Sequence, residues 1–192
     1  MGKGRLEAFS DGVIAVIITI MVLELKAPHG TDLAALAPVA PALFTYVLSF
    51  VYVGIYGNNH HHMLHAAQHI DGRVLWANLH LLFWLSLVPF TTGWVGEYPR
   101  AAIPTAIYGG VFLMAGVAWL LLQDALVRRN GSDSLLARAV GRDLKGKLSA
   151  LLYASAILLA FVKVWIADAL YVLVALIWFV PDRRIERSVD PV

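Results

Sequence analysis

Cysteine is absent from the 192 residues. Disulfides, thiolate metal sites and cysteine nucleophiles are therefore excluded. Charge is scarce as well. Only 15% of residues are charged and 59% are hydrophobic, against about 25% and 45–50% in a soluble domain. A mean hydropathy of +0.71 agrees, and the chain reads as one integral membrane domain. There is no phosphate loop, no G-x-G-x-x-G and no serine–histidine–acid pattern in a suitable context, so catalysis is not expected. No strong internal repeat is visible. A pI of about 9.0 does not indicate nucleic acid, because the basic residues sit in short stretches between apolar runs, where they orient a membrane protein. The first apolar run opens beside an acid and lacks a small-residue cleavage site, so a cleaved signal peptide is not expected.

What is present is a series of apolar segments. Six are expected, at about 9–25, 36–56, 74–95, 102–126, 148–162 and 164–180, in an all-α, six-span polytopic helical bundle. The last two are short, and Lys163 lies where they meet, as in a tight hairpin at a membrane face. Residues 128–147 read as a basic cytoplasmic surface segment, amphipathic from Leu135 to Lys147, and 181–192 as a short charged tail. Six spans place twelve Lys and Arg on the side of the termini and three (Lys26, Arg100 and Lys163) on the other. Both termini are thus expected in the cytoplasm, with the protein in the cell membrane.

The opening stretch, RLEAFSDGVIAVIITIMVLELK, organises the rest. From Val13 to Leu23 only Thr19 is polar, yet Arg5, Ser10 and Asp11 crowd its front. Ser10 or Asp11 can serve as a helix cap. Alternatively, Arg5, Ser10 and Asp11 bond neighbouring helices and fix the rotation of this one. Gly12, Val16, Thr19 and Leu23 share a helical face, with Ile20 alongside. A lone threonine commonly bonds its own preceding turn. Repeated around a symmetry axis, the same face becomes stacked rings, with Glu24 carboxylates at the outer mouth. Narrow apolar rings gate ions by dewetting, and hydroxyls replace part of a hydration shell.

R-x-x-x-F-S-D at the head of the first of six spans, met here as Arg5, Phe9, Ser10 and Asp11, resembles the transmembrane protein 175 family of potassium channels. The resemblance implies a homotetramer in the bacterial inner membrane whose four first helices line the pore. It places the main constriction at Val16, further pore-facing apolar positions at Ile20 and Leu23, and a selectivity-related hydroxyl ring at Thr19. It implies that the motif bonds polar residues of the next two helices, for which His60, His61, Trp76 and Asn78 are the suitable partners. The expected permeant ion is K⁺, with monovalent cations and the lipid bilayer as partners and no cofactor.

His61, His65 and His69 are spaced by four, so one long helix would align them as a weak metal site. The plainer reading is a polar helix end that packs against Ser10 and Asp11, and no metal is expected. Two other functions compete with the channel. One is a proton-coupled secondary transporter using Asp11 and the histidines; it lacks the repeats or broken helices usual in carriers. The other is a histidine-based membrane metalloenzyme. Thr92-Gly93-Trp94-Val95-Gly96 superficially looks like a filter loop but reads as a helix end.

Overall fold

The computed structural model describes residues 2–131, 134, 137 and 144–179. The chain is an all-α bundle. Helix α1 spans Lys3–Leu23. A short 3₁₀ turn, Leu33–Val39, leads into α2, Ala40–Ala66. Then come α3 (Gly72–Ser86), α4 (Val88–Glu97), α5 (Ala102–Asn130), α6 (Leu144–Ala160) and α7 (Val164–Phe179). Among the described residues four stretches are long and apolar enough to cross a membrane: 3–23, 33–66, 72–97 and 102–130. Helices α6 and α7 have 17 and 16 residues, just under the roughly 20 that a straight span needs.

Local chemistry sets these boundaries. Asp71 caps α3 by accepting from the Val74 N–H at 3.0 Å. Between α3 and α4 the chain stays helical in direction, but Pro89 stands at the start of α4 and has no N–H to give to the preceding turn. The two therefore form one apolar stretch with a break at Leu87. Helix α5 stops at Gly131, whose φ of +93° suits glycine.

Several expected boundaries move. Helix α1 begins at Lys3 rather than Phe9, with Gly2 at its N-cap and no side-chain cap. Ser10 and Asp11 are two turns inside, where backbone N–H groups are already bonded, so neither is a cap. The second helix continues unbroken through His60, His61, His62 and His65 to Ala66. Arg128 and Arg129 belong to the last turn of α5, where they complement its dipole. Lys145 and Lys147 belong to α6. Most of the expected surface segment 135–147, and the tail 181–192, lie outside the described residues. Thr92–Gly96 is helical, within α4.

The core sits where α2, α5, α6 and α7 meet. Tyr52, Tyr108, Tyr153, Tyr171 and Phe112 stack there in a buried aromatic cluster; the rings of Tyr52 and Phe112 are 4.4 Å apart. Buried phenols need partners. Tyr171 donates to the Thr105 carbonyl at 2.9 Å, Tyr52 donates to the Tyr171 carbonyl, and Tyr108 pairs with Ser49 Oγ at 3.0 Å. Thr92 of α4 donates to the same Ser49 at 2.7 Å. This core is a platform, and α1 lies across its α2–α3–α4 side.

Candidate functional site

Helix α1 has two faces. Leu6, Ser10, Ile14, Ile17 and Met21 are buried against the chain's own bundle. That spacing of three or four is one helical stripe. On the opposite side Val16 is 53% exposed, Ile20 42% and Leu23 80%. Thr19, Gly12, Phe9 and Arg5 are exposed beside them. In register, Arg5, Phe9, Gly12, Val16, Ile20 and Leu23 run along one outward stripe, with Thr19 at its edge. Thr19 Oγ1 donates to the Val16 carbonyl at 2.9 Å. Its proton is thus spent on its own helix, and its lone pairs face outward.

The inward stripe is fixed by a polar chain. Ser10 is fully buried and donates to the Leu6 carbonyl at 2.9 Å. Its oxygen is therefore free only to accept, and Asn78 Nδ2 of α3 donates to it at 2.9 Å. Asn78 Oδ1 then faces His60 Nε2 of α2 at 2.6 Å, so Nε2 carries the hydrogen. One serine thus ties α1 to both next helices in a dry core. Two buried atoms nearby, His60 Nδ1 and Glu7 Oε1, have no hydrogen-bond partner among the described residues.

Of the four candidate partners of the motif, His60 and Asn78 are in this network. His61 and Trp76 are not. His61 is exposed, and Trp76, 75% exposed, faces outward with Leu79 and Phe83. The physical reason is helical phase: adjacent residues are turned about 100° apart, so His60 and His61 cannot both face Ser10. The side chains of Arg5 and Asp11 make no hydrogen bond or ion pair with another described residue. Asp11 acts on His60 only at a distance, through its charge. The relay from Asp11 through hydrogen-bonded histidines is not assembled.

Glu24 leaves the outward stripe. Its carboxylate lies against Gly93 of α4, where an added Cβ would stand 3.1 Å from Oε2. Beside it, Lys26 pairs with Glu97 at 3.3 Å. A cleft of about 1330 Å³ opens between α1, the start of α2 and α4, walled by Phe9, Val16, Ile20, Leu43, Phe90 and Trp94. The proposed triad of His61, His65 and His69 does not form, because α2 ends at Ala66 and His69 lies in the following loop. Among the described residues no group of three His, Cys, Asp or Glu side chains is placed to hold a metal ion.

Two contacts escaped the sequence reading. Lys3 Nζ donates to the His65 carbonyl at 2.8 Å, tying the first turn of α1 to the last turn of α2. Asn130, at the end of α5, accepts from the Gln68 and His69 N–H groups and donates to the His69 carbonyl. Asn before Gly at a helix end was the available signal for the second; the first had none.

Residues 5–89 match the family profile described as endosomal/lysosomal potassium channel TMEM175. The chain is 50% identical over 188 residues to a potassium channel of Chryseobacterium sp. (strain P1-3), covering 98% of each. It is 33% identical over 187 residues to a potassium channel of Streptomyces collinus, covering 91% of this chain and 90% of the relative. Its fold is similar to the crystal structure of a lysosomal potassium-selective channel TMEM175 homolog from Chamaesiphon minutus. The TM-score is 0.79 at 28% identity, over 95% of this chain and 97% of that one.

Proposed function

This chain belongs to the TMEM175 family of potassium channels, and from that premise we propose that four copies conduct K⁺ through a pore lined by their α1 helices. It is a membrane protein and not an enzyme, and it needs no cofactor. The reading is carried by one observation. The stripe of α1 turned away from its own bundle holds Arg5 and Thr19 beside Val16, Ile20 and Leu23, and Asp11 stands on its flank. In lipid an apolar surface needs no covering, since acyl chains are as apolar as leucine. Charges and hydroxyls do need a setting: within a membrane they face a bundle interior or water. A fourfold axis along this stripe supplies both.

In this arrangement Val16 forms the main apolar constriction. Ile20 and Leu23 form wider apolar rings on the outer side. Thr19 presents four hydroxyl oxygens whose protons are already committed to Val16 carbonyls, so they meet a cation as acceptors. Ser10, through Asn78 and His60, sets the rotation that aims these rings at the axis. Arg5, Phe9 and Asp11 of the motif contact neighbouring subunits. Glu24, braced on Gly93, adds negative charge near the outer mouth. Both termini are cytoplasmic, and the protein resides in the bacterial inner membrane.

The test is a planar-bilayer recording of purified protein under opposed K⁺ and Na⁺ gradients. Unitary currents reversing on the K⁺ side are expected. Saturable, pH-driven flux without unitary events would replace the channel by a carrier.

A further inference from the structure

The histidine-rich end of α2 carries chemistry that conduction does not use. His61 and His65 are both exposed, one helical turn apart, with ring centres separated by 6.2 Å and planes inclined by 21°. Among the described residues neither ring makes a hydrogen bond, whereas His60 is held by Asn78 and His80 by Trp84. Two histidines at i and i+4 are the smallest chelate that one helix face offers. With metal–nitrogen bonds near 2.0–2.1 Å and a tetrahedral angle, two ligating ring centres stand roughly 5 Å apart. The rings are nearly parallel, so chelation also requires a rotamer change that turns a nitrogen of each ring toward a common ion, which the exposed side chains allow without moving the helix. The pair also stands in the last two turns of α2, where the helix dipole favours a cation.

We propose that His61 and His65 form an exchangeable site for a divalent transition-metal ion of the Zn²⁺, Cu²⁺ or Ni²⁺ kind. Imidazole nitrogen suits these ions, while Mg²⁺ and Ca²⁺ require oxygen ligands. No third protein ligand is in place among the described residues, so water completes the coordination shell. Such a site is open and reversible, unlike the closed four-ligand sites that build structure. The backbone of His65 gives the site a mechanical consequence, because the His65 carbonyl holds Lys3 Nζ at 2.8 Å. A dication beside this carbonyl repels the Lys3 ammonium and frees the first turn of α1. That consequence rests on the reading of α1 as the pore helix; the binding does not.

The test uses untagged full-length protein in lipid nanodiscs, titrated with ZnCl₂ and NiCl₂ by calorimetry. One ion per chain is expected. His61→Gln and His65→Gln should each weaken it by more than roughly tenfold, since losing even a second-shell partner costs that much; His69→Gln should not. Equal affinity in all four proteins, or no binding to the wild type, overturns the site. In bilayers, Zn²⁺ on the side of the termini should change the K⁺ current of the wild type and leave His61→Gln unaffected. Binding by calorimetry with a K⁺ current indifferent to Zn²⁺ overturns the coupling to Lys3. A wild type that binds Zn²⁺ yet passes no K⁺ counts against the channel and not against the chelate.

Discussion

Val16 and Ser10 are two turns apart on one helix and act through opposite properties. Val16 matters for the space that its methyls occupy; Ser10 matters for two hydrogen bonds. In the proposed pore Val16→Ala removes two carbons from each of the four side chains of the ring, widens the constriction and lets it wet more readily. Conductance should rise. K⁺ over Na⁺ preference should fall by roughly tenfold, a relative barrier change of about 1.4 kcal/mol. Reversal potentials in opposed K⁺ and Na⁺ gradients read this directly, and an unchanged potential with unchanged conductance removes Val16 from the constriction. Asn78→Ala acts on the other property. It leaves the buried His60 Nε2–H without an acceptor and Ser10 Oγ without its donor, at about 1–3 kcal/mol per stranded group. Thermal unfolding should begin well below the wild-type temperature. His61→Ala, which touches none of these atoms, should leave the transition in place.

The core element offers a sharper contrast, in two adjacent glycines of α5. A Cβ at Gly109 would stand 2.1 Å from the Tyr171 hydroxyl, whereas nothing lies within 4 Å of one at Gly110. Gly109→Ala must push Tyr171 off the Thr105 carbonyl. It should destabilise by about 1–3 kcal/mol, as overpacking does. Gly110→Ala adds helix propensity of up to about 1 kcal/mol and should be neutral or stabilising. Thermal shifts of opposite sign are expected, and equal shifts would mean that Gly109 and Tyr171 do not pack against each other. The sequence alone does not distinguish the two, and only Gly109 has a neighbour close enough to require glycine. The reason is general here. Apolar run and turn chemistry show that α5 exists, but helix phase against a partner is a property of two helices. The same limit explains why the sequence offers His60, His61, Trp76 and Asn78 alike as motif partners, while the hydrogen bonds that reach Ser10 run through Asn78 to His60. It also explains the early start of α1: Gly2 to Glu7 are too polar for a hydropathy reading, yet the Lys3–His65 tie holds them in a helix.

At the scale of the whole molecule, the proposed pore turns on where the outward stripe of α1 points. The chain has no cysteine, so each engineered one is unique and its cross-links report a single position. Val16→Cys and Ile17→Cys are neighbours in sequence about 100° apart around α1. Ile17 is 3% exposed, packed against its own bundle, and Val16 is 53% exposed. Cysteines at a narrow ring come within disulfide reach, with Cα atoms about 4.4–6.8 Å apart, whereas positions inside separate bundles cannot meet. Mild oxidation in native membranes should therefore link V16C into dimers and leave I17C monomeric on denaturing gels. Thr19→Cys, at the edge of the stripe, should link less than V16C. Cross-linking reports how the helices meet without any current being measured. A chain that conducts K⁺ but links only through I17C would keep its family function while its α1 helices stood in some other arrangement. Linking through V16C requires that each α1 meet its counterpart along the face its own bundle leaves open.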